Sequence, residues 1–139
     1  MKKIFYILAI LLFKINIAYS LIEVDITRGN LDPLPIAVSP LHVDPQSDNY
    51  QDINTKNLGA LISSVVEKNF KSTGLFNPLN KDAFVQKPDI AHLKPRFEDW
   101  RLITAQALVT GKILIKDDKL KVEFRLWDLA ASQEMVALA

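Results

Sequence analysis

The chain has 139 residues, 49% hydrophobic and 24% charged, which is the size of one domain and an ordinary globular composition. Its 17 Lys+Arg against 16 Asp+Glu leave +1, with none of the basic excess that marks a nucleic-acid binder. Because there is no cysteine, a disulfide scaffold, a CxxC redox centre, a thiolate zinc site and a cysteine nucleophile are excluded, and no GxGxxG or GxxxxGK is present to cradle phosphate.

The first twenty residues read as a secretory signal peptide. Lys2 and Lys3 form a positive start, Ile4 to Phe13 is an unbroken apolar run, and Ala18 and Ser20 are small residues at positions −3 and −1 of a cleavage site. The run is shorter than the about 20 residues a membrane-spanning helix needs. Lys14 interrupts the pattern at its end. Without Lys2, Lys3 and Lys14 the expected mature chain of 119 residues carries 14 basic and 16 acidic groups, so its net charge is −2. An exported domain without cysteine suits a bacterial periplasm better than a eukaryotic extracellular space, where small domains are disulfide-stapled.

In the mature chain, Leu21 to Thr27 alternates apolar Ile22, Val24 and Ile26 with polar Glu23, Asp25 and Thr27, which predicts a half-buried strand ended by Arg28-Gly29-Asn30 and Pro33. Pro35 to Val38 predicts a short second strand, and residues 42–55 a polar loop. Leu58, Leu61, Ile62, Val65, Val66 and Phe70 recur at helical spacing, with Asn54 or Thr55 as cap, Gly74 as C-terminal stop and Glu67–Lys71 as an i,i+4 ion pair. Leu75 to Leu79 leads back toward the core, and residues 80–95 form a second loop. Phe97, Trp100 and Ile103 suggest a short helix opened by Pro95. Ala105 to Ile115 and Lys119 to Asp128 form a hairpin turned by Asp117-Asp118, and a third strand begins at Glu134. The chain then stops at Ala139 without a polar cap, as though cut. The expected architecture is a two-layer α+β domain, its mixed or antiparallel sheet covered by two helices on one face.

Chemistry-bearing clusters are scarce. His42 and His92 stand fifty residues apart, with no HExxH, so neither a metal site nor a cofactor site is expected. Ser39, His42 and Asp44 are close enough in sequence to be considered as a hydrolase triad, but they sit in a Pro-flanked loop without a nucleophile elbow. Glu98-Asp99 belong to the opening turn of a helix, where acids suit the dipole, and Asp117-Asp118 to a turn. Trp100 and Trp127 are expected as core or hairpin-face residues and not as stacking platforms, since no basic groove surrounds them. The more telling feature is the leading strand, since a free terminal strand can be lent to a partner sheet through main-chain hydrogen bonds.

Five blocks in order resemble one family. Leu21–Thr27 with Gly29 and then PIAVSPL (Pro35 to Leu41), the stretch Lys71 to Leu79 (KSTGLFNPL), Phe97 to Trp100, Ala107 to Lys112 (ALVTGK), and Val122 to Asp128 (VEFRLWD) are similar to the amino-terminal part of the TolB family of the periplasmic Tol-Pal system. That family continues into a six-bladed β-propeller. At about 40–45 residues per blade this chain cannot hold one, so the resemblance implies the amino-terminal domain alone. It also implies a binding protein and not an enzyme. The mature terminus, carried over as Leu21, Ile22, Glu23, Val24, Asp25, Ile26 and Thr27, would contact a TolA-like inner-membrane protein. A Pal-like lipoprotein would be bound only with a propeller supplied elsewhere. The implied role is support of outer-membrane invagination during division and of envelope integrity, with no nucleic acid and no small-molecule substrate.

Overall fold

A computed structural model describes residues 32–138, so the expected signal peptide and the expected strand Leu21–Thr27 lie outside the described residues. The described elements run in the order β1 (Leu34–Val38), β2 (His42–Val43), α1 (Ile53–Ser72), β3 (Phe76–Pro78), a 3-10 turn (Lys81–Ala83), α2 (Pro88–Ala91), α3 (Phe97–Leu102), β4 (Ala107–Lys116), β5 (Lys119–Asp128) and β6 (Gln133–Leu138). The strands form one mixed sheet in the order β3-β1-β4-β5-β6, with β2 also paired to β4. β1 runs parallel to both β3 and β4, while β5 is antiparallel to β4 and β6 to β5. The expected α+β class and mixed sheet are what the structure contains.

β4 is the centre of the sheet. Its first five residues are all buried. The edge facing β1 and β2 is continuous: Ile36 to Val38 pair with Ala107 to Val109, the Ser39 amide donates to the Val109 carbonyl at 3.0 Å, and His42-Val43 pair with Lys112-Ile113. β1 and β2 are thus one strand kinked at Ser39-Pro40-Leu41, where proline supplies no ladder donor. On the other edge the hairpin closes on Asp117 (φ 50°) and Asp118 (φ 59°), two left-handed residues in succession, as a two-residue turn requires.

The pleat divides the apolar residues between two faces. On the first, Ile36, Val38, Ala107 and Val109 pack with Val66 and Phe70 of α1, and Leu41, Val43 and Ile113 with Leu58 and Ile62. On the second, Ala37, Leu108, Trp127 and Leu129 pack with Ala91 of α2 and Trp100 of α3. This corrects the expectation of both helices on one face. The consecutive apolar runs Ile36-Ala37-Val38 and Ala107-Leu108-Val109 bury side chains in both directions, and the second direction needs its own cover. Both tryptophans are in the core, and both indole N–H groups are satisfied: Trp100 donates to Gln86 Oε1 and Trp127 to Thr110 Oγ1, each at 2.8 Å.

Three local expectations are revised. The cap of α1 lies two residues before Asn54, at Asp52, which accepts from the Asn54 amide at 2.7 Å. Glu67 pairs with Lys81 at 2.9 Å instead of Lys71, tying the turn after β3 back onto α1. Residues 75–79 and 42–55 each contain a short strand, β3 and β2, seen only once β1 and β4 provide edges to pair with. Gly74, with φ 71°, follows the helix as expected.

The helix α1 lies directly on the kink. The Leu41 amide donates to the Gly59 carbonyl at 3.2 Å, and a Cβ at Gly59 would stand 2.0 Å from the Leu41 carbonyl oxygen. Helix propensity alone makes Gly59→Ala a gain of about 1 kcal/mol. The contact with rigid backbone instead predicts a net loss of about 1–3 kcal/mol in urea unfolding, and a stabilised variant would contradict the close approach.

Candidate interaction surface

A helix is about 10 Å across and strands lie about 4.8 Å apart, so one helix covers about two strands. α1 lies over β1, β2 and β3 and reaches β4 only from one side, through Val66 and Phe70. Among the described residues, the outer strands β5 and β6 therefore keep apolar side chains uncovered on the same face. Phe124 pairs with Leu138 and Leu126 with Val136, all four on the α1 side. With Val66 and Phe70 as its other wall and Val109 at its floor, this is an apolar groove of about 310 Å³. β6 is exposed at every residue, and Leu138 is 65% exposed. On α1, Leu61 and Val65 are 61% and 60% exposed, so two of the six residues at helical spacing do not enter the core. The groove and the open β6 edge make one contiguous surface with the physical character of a protein contact site.

The triad expected from Ser39, His42 and Asp44 is not assembled. The Ser39 hydroxyl is buried and donates to the Pro40 carbonyl at 3.2 Å. Asp44 accepts from the Gln46 amide at 2.8 Å and pairs with Lys112 at 3.5 Å. The Gln46 amide, followed by Lys112, holds the Asp44 carboxyl below the usual carboxylate range. His42 turns its ring onto His92 instead, centroids 4.3 Å apart and planes within 7°. No hydrogen bond joins Ser39 to His42 or His42 to Asp44 among the described residues. The physical reason is the kink: Ser39 follows β1 with its side chain buried, while His42 and Asp44 come after it on the far side of Pro40. Among the described residues, no three His, Cys, Asp or Glu side chains gather as a metal would need.

Of the site residues singled out in the sequence, Leu21 to Thr27 lie outside the described residues, and the groove-lining Val136 and Leu138 were not recognised. Their only signal was the apolar alternation of the last strand, which reads the same whether its face is covered or bare. The groove residues are expected to contribute little to stability. Val136→Asp and Leu138→Asp should each stay within about 0.5 kcal/mol of the parent in chemical unfolding, as exposed positions do. Fluorescence of a bound hydrophobic dye should fall in both, and undiminished fluorescence would place the accessible apolar surface elsewhere.

Comparison with known proteins places this architecture. The family model described as the TolB amino-terminal domain matches residues 22–135. The Tol-Pal system protein TolB of Pelagibacter ubique (strain HTCC1062) is 64% identical over 124 residues, covering 88% of this chain and 28% of that protein. The chain thus spans little more than a quarter of this relative's length. Among solved structures, TolB from Acinetobacter baumannii superposes with a TM-score of 0.55 at 19% identity, over 77% of this chain and 22% of that one. The LpoB C-terminal domain from Escherichia coli gives a TM-score of 0.55 at 8% identity, over 79% and 82%. At such identities these two structures speak for the fold alone.

Proposed function

This chain belongs to the TolB amino-terminal domain family, and from that premise we propose that it acts in a Tol-Pal system as a periplasmic binding protein that transforms no substrate. The observation that carries the reading is the family match over residues 22–135, which begins inside the alternating segment Leu21–Thr27 and runs through the described domain as far as Met135, in β6. The uncovered groove and the open β6 edge support it, because both suit protein contact and neither brings a nucleophile to a base.

In this reading residues 1–20 are removed on export and residues 21–139 form the working domain. Leu21, Ile22, Glu23, Val24, Asp25, Ile26 and Thr27 engage a TolA-like inner-membrane protein as an added strand. The alternating Ile22, Val24 and Ile26 side chains would enter successive pockets, while the main chain supplies the hydrogen bonds. Contact with a Pal-like lipoprotein requires a propeller supplied elsewhere. The outcome is support of outer-membrane invagination during division and of envelope integrity.

Two measurements test this. The intact mass of the protein recovered from the periplasm should correspond to a chain starting at Leu21, and a cytosolic product retaining Met1 would overturn the export. Deleting Leu21–Thr27 should abolish capture of the TolA-like partner in a pull-down while the circular dichroism spectrum keeps its folded form. Undiminished capture by the folded deletion variant would remove the role assigned to this segment.

A further inference from the structure

His42 and His92 are brought together from opposite halves of the chain. His42 lies in β2, paired with β4, and His92 follows directly on α2. The His92 Nδ1–H donates to the Pro88 carbonyl at 3.2 Å, which fixes the ring within its own segment. The Ala91, His92 and Leu93 amides donate to the carbonyls of Lys87, Pro88 and Ile90. α2 has only four residues, so the segment depends on what it touches: the fully buried Ala91 on the second face and the imidazole stack beside it.

The charged groups around the stack are unbalanced. One polar cleft beside it is lined by His42 with Lys56, Lys87, Asp89 and Tyr50, and a second by His92 with Lys112, Glu123 and Arg125. Asp44 is held by Lys112 and Glu123 by Lys121. Among the described residues, Asp89 is the one of these three carboxylates that forms no ion pair with a lysine or arginine. Asp89 and Asp44 favour a proton on His42, but burial and the facing His92 outweigh them, and two parallel imidazolium rings at this separation would repel each other.

We propose that the His42–His92 stack is a pH-operated clasp, holding residues 88–93 on β2 and β4 while at most one ring is charged and releasing them when both are. Release joins the two polar clefts and bares the side of the core that Ala91 covers, tying the exposure of this face to ambient pH. The inference is independent of the partner-binding reading. Burial, and then His92, hold the His42 proton affinity below the ordinary histidine value of 6.5. The unfolded chain therefore binds the proton more readily than the folded one, so stability rises with pH through this range. The contribution of His42 is complete above about pH 6.5 and is lost as the pH falls below it.

The test is amide hydrogen exchange of the 15N-labelled protein at about pH 7.5 and about pH 5, corrected for intrinsic exchange, together with a histidine side-chain titration. The Ala91, His92 and Leu93 amides should lose protection by about tenfold or more on acidification, while β4 amides paired to β5 keep theirs. In His92→Gln and His42→Gln that acid-dependent loss should vanish, and in His92→Gln the His42 midpoint should rise. Unchanged protection in the parent protein overturns the clasp, as does the same acid-dependent loss in both folded variants. Should a variant fail to fold, the parent measurement decides alone.

Discussion

The structure is organised by the burial of β4 on both faces and along both edges. A strand that presents Ala107, Val109 and Ile113 one way and Leu108 and Thr110 the other cannot be satisfied by a two-layer arrangement. It needs strands on either side and a cover above and below. β1 and β2 take one edge, β5 takes the other, α1 closes the first face, and Trp100 with its neighbours closes the second. Each remaining feature is a consequence of how completely those covers reach.

On the first face the cover is long but narrow. α1 runs for 20 residues, enough to span both β1 and the β2 segment beyond the kink, and it approaches so closely that only glycine fits at position 59. Its width ends over β4, and the apolar alternation continues past it onto β5 and β6. The same sequence rule that builds the core thus leaves a groove at the sheet's outer edge that no other described residue covers. On the second face the cover is assembled from short pieces. Gln86 holds it by accepting from both the Trp100 indole and the Arg96 amide, and Arg101 closes it by donating to the Leu129 carbonyl. Short pieces are retained by a few side-chain contacts instead of by a helix's own ladder, which is why one stacked histidine pair bears on whether residues 88–93 stay in place.

Family membership and architecture bear on function differently. The fold is shared at 8% identity with the LpoB C-terminal domain, so it cannot by itself choose a partner. Family membership rests on the sequence that falls within residues 22–135, and in the proposed reading the alternating segment ahead of β1 makes that choice. The absence of an assembled Ser39–His42–Asp44 arrangement follows from geometry that sequence proximity hides, because a proline-bent strand separates three residues that are only five positions apart.

The sequence by itself determined the elements whose information is local. α1 follows from an apolar period sustained over several turns, and the β4–β5 hairpin from alternation around two aspartates that tolerate left-handed backbone. Tertiary structure decided everything that depends on a distant partner. β2 and β3 are two and three residues long and become strands only when β4 and β1 offer edges. Glu67 prefers Lys81 to a lysine one turn away because β3 delivers that amine to the helix flank. The side on which α3 packs, the bareness of Val136 and Leu138, and the meeting of His42 with His92 carry no local signature. Periodicity says which residues share a face, but what covers that face is set by chain segments tens of residues away.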